Sequence, residues 1–184
     1  MCEPELFGEP LCDPVRLAPY DESWPEGFRE HRKRLEDALG SVALRIDHVG
    51  STSVPKLPSK PVIDIQISVN DLEDEDSYRP HIEALGWPMR ARLSDRRFFR
   101  VASGERDAHI HVVEIGDEGA RRNLLFPAYL RANPEIRDAY AKLKRDLAKN
   151  FGDDRIEYTE RKSPFIEETL RLAEEWTKET GWRS

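Results

Sequence analysis

The stretch Val62-Ile-Asp-Ile-Gln-Ile-Ser-Val69 constrains the fold of this chain more than any other. Ile63, Ile65, Ile67 and Val69 fall on one face, and Val62, Asp64, Gln66 and Ser68 fall on the other. A period of two marks an extended strand with one aliphatic face to bury. A second alternating stretch, Val42 to Val49, precedes it, and a loop punctuated by glycine and proline, Gly50 to Pro61, joins the two.

Helical periods flank this pair. Ser23-Trp24-Pro25-Glu26 has the form of a capping box with proline in the first turn. It opens a helix with Phe28, Leu35 and Leu39 on one stripe and Gly40 at its end. A short helix carrying Tyr78, Ile82 and Leu85 stops at Gly86. Strands are expected at Trp87–Leu93, Arg97–Ala102 and Ala108–Ile115, with a turn at Ser103-Gly104-Glu105 between the last two. Residues 119–132 read as a helix interrupted by Pro127. Asn133 then caps a second, with Pro134 first and Ile136, Tyr140, Leu143 and Leu147 as its stripe. A third follows Gly152, with Phe165, Ile166, Leu170, Ala173 and Trp176. Pro4, Pro10, Pro14 and Pro19 among acidic residues make the N-terminal stretch, residues 1–14 above all, an extended strap. Without repeats or an internal linker, residues 1–184 are expected to form one α/β (α+β) domain, a mixed sheet covered by helices.

Composition narrows the function classes. A net charge of −7 disfavours non-specific nucleic-acid binding, yet leaves room for a local basic pocket and a small phosphorylated ligand. The two cysteines, Cys2 and Cys12, form neither a disulfide framework nor a cysteine-built zinc site. No apolar run reaches the ~20 residues of a membrane span. The acidic N-terminus, with Glu3, Glu5 and Glu9, lacks the form of a secretory signal. The expectation is a soluble, cytoplasmic protein.

The chemistry concentrates in His48-Val-Gly-Ser-Thr-Ser-Val-Pro and the strand after it. Gly50 lets the backbone turn close to a ligand. Ser51, Thr52 and Ser53 supply hydroxyls and N–H groups suited to phosphate oxygens, and Lys60 adds a point charge. Asp64, with Gln66 two residues on, is placed to hold Mg²⁺ or another divalent cation against such a phosphate. A tight turn beside a buried aspartate that bonds backbone explains the same residues, so both readings stand. The segment is not a Walker loop, because it lacks the glycine–lysine–serine/threonine ending and leads into a strand. His109 and His111 share one strand face and are candidate metal ligands, or structural imidazoles. Glu114 has the opposite parity. Val113 stands where a histidine-triad hydrolase would need a further histidine. Arg100, Arg131, Lys144 and Lys162 are candidate lining of an anionic pocket, or solvated charges.

These segments resemble the GrpB family, from HVGSTSVP-KLPSKPVIDIQISV through HIHVVE and FPAYLRANPEIRDAYAKLKRDLA to a Tyr158/Lys162/Phe165-Ile166 segment. Lys56 stands where the family typically has a small residue. The resemblance implies a fold like that of polymerase-β-type nucleotidyltransferases, with Gly50-Ser51 as the turn and Asp64 as the first metal-binding acid. It also raises Tyr140, Lys144 and Lys162 as ligand-binding candidates. The second acid of that pattern is replaced by Gln66, so a weak divalent site is expected. Three functions stand open: a metal-assisted nucleotidyltransferase with Asp64 and His111 as its catalytic residues, a non-catalytic nucleotide- or CoA-binding module on the same fold, and, from the histidine and aspartate residues themselves, a metal-dependent hydrolase built on Asp64, His109 and His111. A GrpB-like domain fused to dephospho-CoA kinase in some bacteria makes an adenine-nucleotide or CoA-like ligand the expected class.

Overall fold

Strand β3 (Ile63–Val69) is the alternating segment, and it lies second from one edge of a six-stranded sheet in a computed structural model describing residues 5–8, 14–101 and 108–184. The other strands are β1 (Glu5–Leu6), β2 (Arg45–Val49), β4 (Met89–Arg92), β5 (Arg97–Phe99) and β6 (Ala108–Glu114), in the order β1-β4-β5-β6-β3-β2. β3 runs parallel to β6 and antiparallel to β2, so the sheet is mixed, as expected. Among the described residues five helices accompany it: α1 (Trp24–Leu39), α2 (Arg79–Ala84), α3 (Glu118–Ala132), α4 (Pro134–Phe151) and α5 (Arg155–Thr180).

The two faces of β3 divide the molecule as its alternation requires. Ile63, Ile65, Ile67 and Val69 pack with Leu35 and Leu39 of α1, Ile82 of α2, Trp87, Phe99 and Ile110 in the main core. Burying each such aliphatic side chain contributes about 1.5–3 kcal/mol, which pins the register of β3. The opposite face, with Asp64, Gln66, His109 and His111 at paired positions of β3 and β6, looks toward the C-terminal helices. Those helices carry their own apolar clusters: Leu130, Tyr140 and Ala141 against Val54 and Leu57, and Leu125 and Tyr129 against Leu170 and Ala173.

Several boundaries differ from expectation. Ser23 makes no side-chain cap; Asp21 instead accepts the Ser23 N–H at 2.8 Å, so the aspartate organises the entry to α1. Asn133 likewise caps nothing, because its side-chain amide donates back to Tyr129 O at 2.9 Å and closes α3. The segment before β2 is a 3-10 turn at Gly40–Val42, and α3 continues through Pro127. Part of the N-terminal strap is a short strand: Glu5 and Leu6 pair with Arg92 and Ala91 at the sheet edge. Cys2, Cys12 and the turn expected at Ser103-Gly104-Glu105 lie outside the described residues.

Candidate functional site

The site begins where β2 ends. Gly50 takes φ 67°, ψ −169°, a backbone region essentially reserved for glycine, and delivers Ser51–Ser53 as one 3-10 turn. A Cβ on Gly50 would overlap the Asp64 carboxylate, so the turn lies directly over that side chain. The three hydroxyls of the turn have different fates. Thr52 is fully buried, with Oγ1 3.0 Å from His48 Nε2. Ser53 Oγ donates to Gly50 O at 2.7 Å, and Arg131 donates to the Ser53 carbonyl at 3.1 Å. Ser51 instead lines two adjoining cavities, of about 470 and 130 Å³.

Both cavities share Ser51, Asp64 and Lys162. The smaller has Lys60, Lys144, Ser59, His109 and Tyr158 around it. The larger opens between the sheet and α3 and α5, and its walls include Tyr140, Phe126, Leu130, Ile166 and Leu170. Lys144, on the buried face of α4, donates to Ser51 Oγ at 3.0 Å and to Pro58 O at 2.5 Å. Burial, reinforced by the charges of Lys162 and Arg145, lowers its ammonium to about 7. Burial also lowers Lys162, with Lys60 adding repulsion and Asp64 opposing it. Tyr140 stacks on Phe165 and meets Phe126 edge-on, and burial raises its phenol. Arg100 does not line either cavity; it donates to Val101 O at 3.3 Å beyond the end of β5.

Asp64 remains 30% exposed, with Oδ1 3.3 Å from His109 Nδ1 and 3.8 Å from His111 Nε2. Burial alone would raise its carboxyl, but the two imidazoles more than offset this and hold it below the usual range. Phe98 packs against both rings from β5. Asp64, His109, Ser51, Lys60, Tyr140, Lys144 and Lys162 therefore come together, whereas Thr52, Ser53 and Arg100 point elsewhere.

Gln66 was expected beside a cation, and its surroundings give it another task. Its side chain is fully buried, its amide nitrogen donates to Ala120 O at 3.2 Å, and its oxygen accepts from Asn123 at 3.0 Å. It is a tie between β3 and α3, with its amide committed to that helix. A hard divalent cation takes carboxylate and carbonyl oxygens, but the neighbours of Asp64 are imidazoles and the Gln66 oxygen is engaged. Among the described residues, no group of three or more histidine, cysteine, aspartate or glutamate side chains is arranged to hold a metal ion. The weak divalent site expected on Asp64 and Gln66 retains Asp64 alone, since the Gln66 oxygen accepts from Asn123. Among the described residues, no helix is long and apolar enough to cross a membrane.

Asn123 was not anticipated from sequence. Ala120, Asn123, Pro127 and Leu130 recur at helical spacing on the cavity face of α3, and a lone amide within such a stripe is the available signal.

Comparisons with known proteins agree on one group. A UPF0157 protein of Halalkalibacterium halodurans is 40% identical over 160 residues, covering 86% of this chain and 82% of that protein. A dephospho-CoA kinase of Mycolicibacterium paratuberculosis is 32% identical over 197 residues, covering 92% of this chain but 48% of the kinase. The crystal structure of the conserved protein GrpB from Enterococcus faecalis superposes with a TM-score of 0.78 at 32% identity, covering 86% of this chain and 96% of that one. The GrpB protein family model matches residues 14–172, which span the turn, Asp64, both histidines and the three cavity lysines, Lys60, Lys144 and Lys162. The chain belongs to the GrpB family.

Proposed function

We propose that this chain is a nucleotidyltransferase-like protein that binds a small phosphorylated ligand of nucleotide or CoA type. The observation that carries this reading is that Ser51 and Lys162 stand where a small lysine-lined cavity adjoins a larger one, with Lys144 of the small cavity bonded to Ser51. Lysines beside a serine hydroxyl suit a phosphate group, and an aromatic and aliphatic slot of drug-sized volume suits an organic body. The similarity to part of a dephospho-CoA kinase supports the same ligand class.

Of the catalytic and non-catalytic forms of this reading, the bonds of Gln66 favour binding without two-metal transfer. Phosphoryl transfer by paired metals needs converging carboxylates, and Gln66 is neutral and fixed to α3. The test is a thermal-shift and calorimetric comparison of ATP, dephospho-CoA and CoA, each with and without Mg²⁺. A ligand at ~100 times its Kd stabilises the folded state by about 2.7 kcal/mol. The expected result is a rise in Tm with at least one of them, Mg²⁺ adding little, and a smaller rise in Lys162→Met. If none of the three moves Tm and calorimetry detects no binding, the reading is wrong.

A further inference from the structure

The contact between Ser51 and Lys144 is more specific than phosphate holding requires. Lys144 Nζ sits 3.0 Å from Ser51 Oγ and is fixed from the other side by Pro58 O at 2.5 Å. Lys144 is 2% exposed, whereas Ser51 borders both cavities. An amine in that position has one N–H engaged by the carbonyl and its lone-pair direction available to the hydroxyl once a proton is lost. A hydroxyl presented on a glycine turn, a buried amine within hydrogen-bond reach and a cavity in front of both are the parts of an activated nucleophile.

We propose that Ser51 is a nucleophile and Lys144 its general base, transferring a phosphoryl-type group from a bound ligand onto Ser51 Oγ. This rests on the ligand reading above for its natural donor, a phosphoester or phosphoanhydride. The Ser51 oxygen attacks phosphorus while its proton passes to Lys144 Nζ. A P–OSer bond forms, the bond from phosphorus to the leaving oxygen breaks, and that oxygen takes the electron pair and then the proton from Lys144. Water or an acceptor hydroxyl reverses the same steps to free the serine. No electron transfer and no metal is needed; Lys60, Lys162 and His109 line the cavity in which the phosphoryl oxygens would lie.

The surroundings of Lys144 suit a base that works near neutrality. It faces Tyr140 on its own helix at 4.9 Å, Ser51 on the turn, Lys162 and Tyr158 on α5, and Lys60, Asp64 and His109 around the small cavity. Burial and the like charges of Lys162 and Arg145 outweigh the attraction of Asp64 and lower its ammonium to about 7. A desolvated lysine beside another cation is a recognised way to obtain a neutral amine.

The experiment uses the full chain and a neutral fluorophosphonate, which reports serine nucleophilicity without needing the anionic ligand. Attack expels fluoride and leaves a stable phosphonyl-serine. Intact mass and peptide mapping should find one adduct, on Ser51, forming faster as pH rises from 6 to 8. Ser51→Ala should abolish it, and Lys144→Met should slow it by about 100-fold or more, the usual contribution of a positioned base. Lys144→Arg keeps the charge but cannot release a proton, and should be equally slow. Ser163→Ala, an exposed hydroxyl on α5 bonded to Thr159 O, should label at the parent rate. Absence of an adduct, an adduct mapped to another residue, or unaltered labelling in folded Lys144→Met overturns the proposal. Because mapping is done on the parent chain, it decides the matter even where a variant fails to fold. ATP or CoA binding without labelling would leave the ligand reading standing and remove only the nucleophile. Labelling at Ser51 without nucleotide or CoA binding would do the reverse.

Discussion

Gly50 and Asp64 lie so close across the β2–β3 edge that no side chain fits between them: any Cβ on Gly50 would strike the Asp64 carboxylate. The positive φ of Gly50 adds a second penalty, since only glycine adopts that conformation freely. Gly50→Ala should therefore lose about 2–4 kcal/mol from strain and overpacking together. Chemical denaturation is the measurement, and a change under about 0.5 kcal/mol would contradict the geometry.

Lys56 presents the opposite case. Among the described residues it is the non-glycine with positive φ, at 68°, on an exposed stretch of the same loop. A side chain in that region costs roughly 1–2 kcal/mol, partly offset by the freedom glycine adds to the unfolded chain. Lys56→Gly should raise stability by up to about 1 kcal/mol, seen as a higher Tm.

Gln66→Glu separates a structural tie from a latent metal ligand. An ionised glutamate would set a buried negative charge against Ala120 O and lose the donor that carbonyl needs. The cost should be about 2–4 kcal/mol near neutral pH. The buried acid has a raised pKa, so stability falls as pH rises through it, and the deficit should shrink toward pH 4. Denaturant titrations at several pH values check this. A variant as stable as the parent, with a new tight Mg²⁺ site by calorimetry, would reverse the assignment.

His48 should contribute a pH-dependent part of stability. Its ring stacks on Phe28 at 4.8 Å, and burial, with Arg131 adding repulsion and Asp64 opposing, lowers its pKa to about 4. In the unfolded chain it titrates near ~6.5. The unfolded state therefore binds more protons between these values. The stabilisation is complete above about 6.5 and is lost as pH falls toward 4. Parent and His48→Gln should diverge by roughly 1–3 kcal/mol across that window. Parallel pH profiles would mean that the imidazole is not buried as described.

Ligand binding should follow the charge on Lys144. As pH rises through about 7 this ammonium loses its proton, so affinity for a phosphorylated ligand should fall between pH 6 and pH 8. Lys144→Met should flatten that dependence in calorimetric titrations of ATP, after correction for ATP's own ionisation.

Much of this arrangement is legible in the amino-acid sequence. The alternation of residues 62–69 put Ile65 in the core and Asp64 on the other face, because a one-residue slip would expose every aliphatic side chain. The same parity argument placed His109 and His111 together on one strand face. Capping was less legible. Ser23 and Asn133 carry the right side chains at the right positions, yet Asp21 and Tyr129 O are the partners used, because a short polar side chain has several local backbone groups within reach. The fate of Gln66 was not readable at all, since Asn123 and Ala120 lie more than fifty residues away on α3.

By itself, the amino-acid sequence determined the periodic elements, the glycine turn over an aspartate-bearing strand and membership of the GrpB family, because these rest on neighbours in the chain and on local steric rules. Only tertiary structure decided which polar groups are free to act. Thr52, Ser53 and Gln66 spend theirs on His48, Gly50 and α3, while Ser51 meets Lys144 from a helix 93 residues away along the chain. A hydrogen bond satisfies a buried polar group with whichever partner packing brings near. That partner is set by how the helices lie against the sheet, which no local pattern encodes.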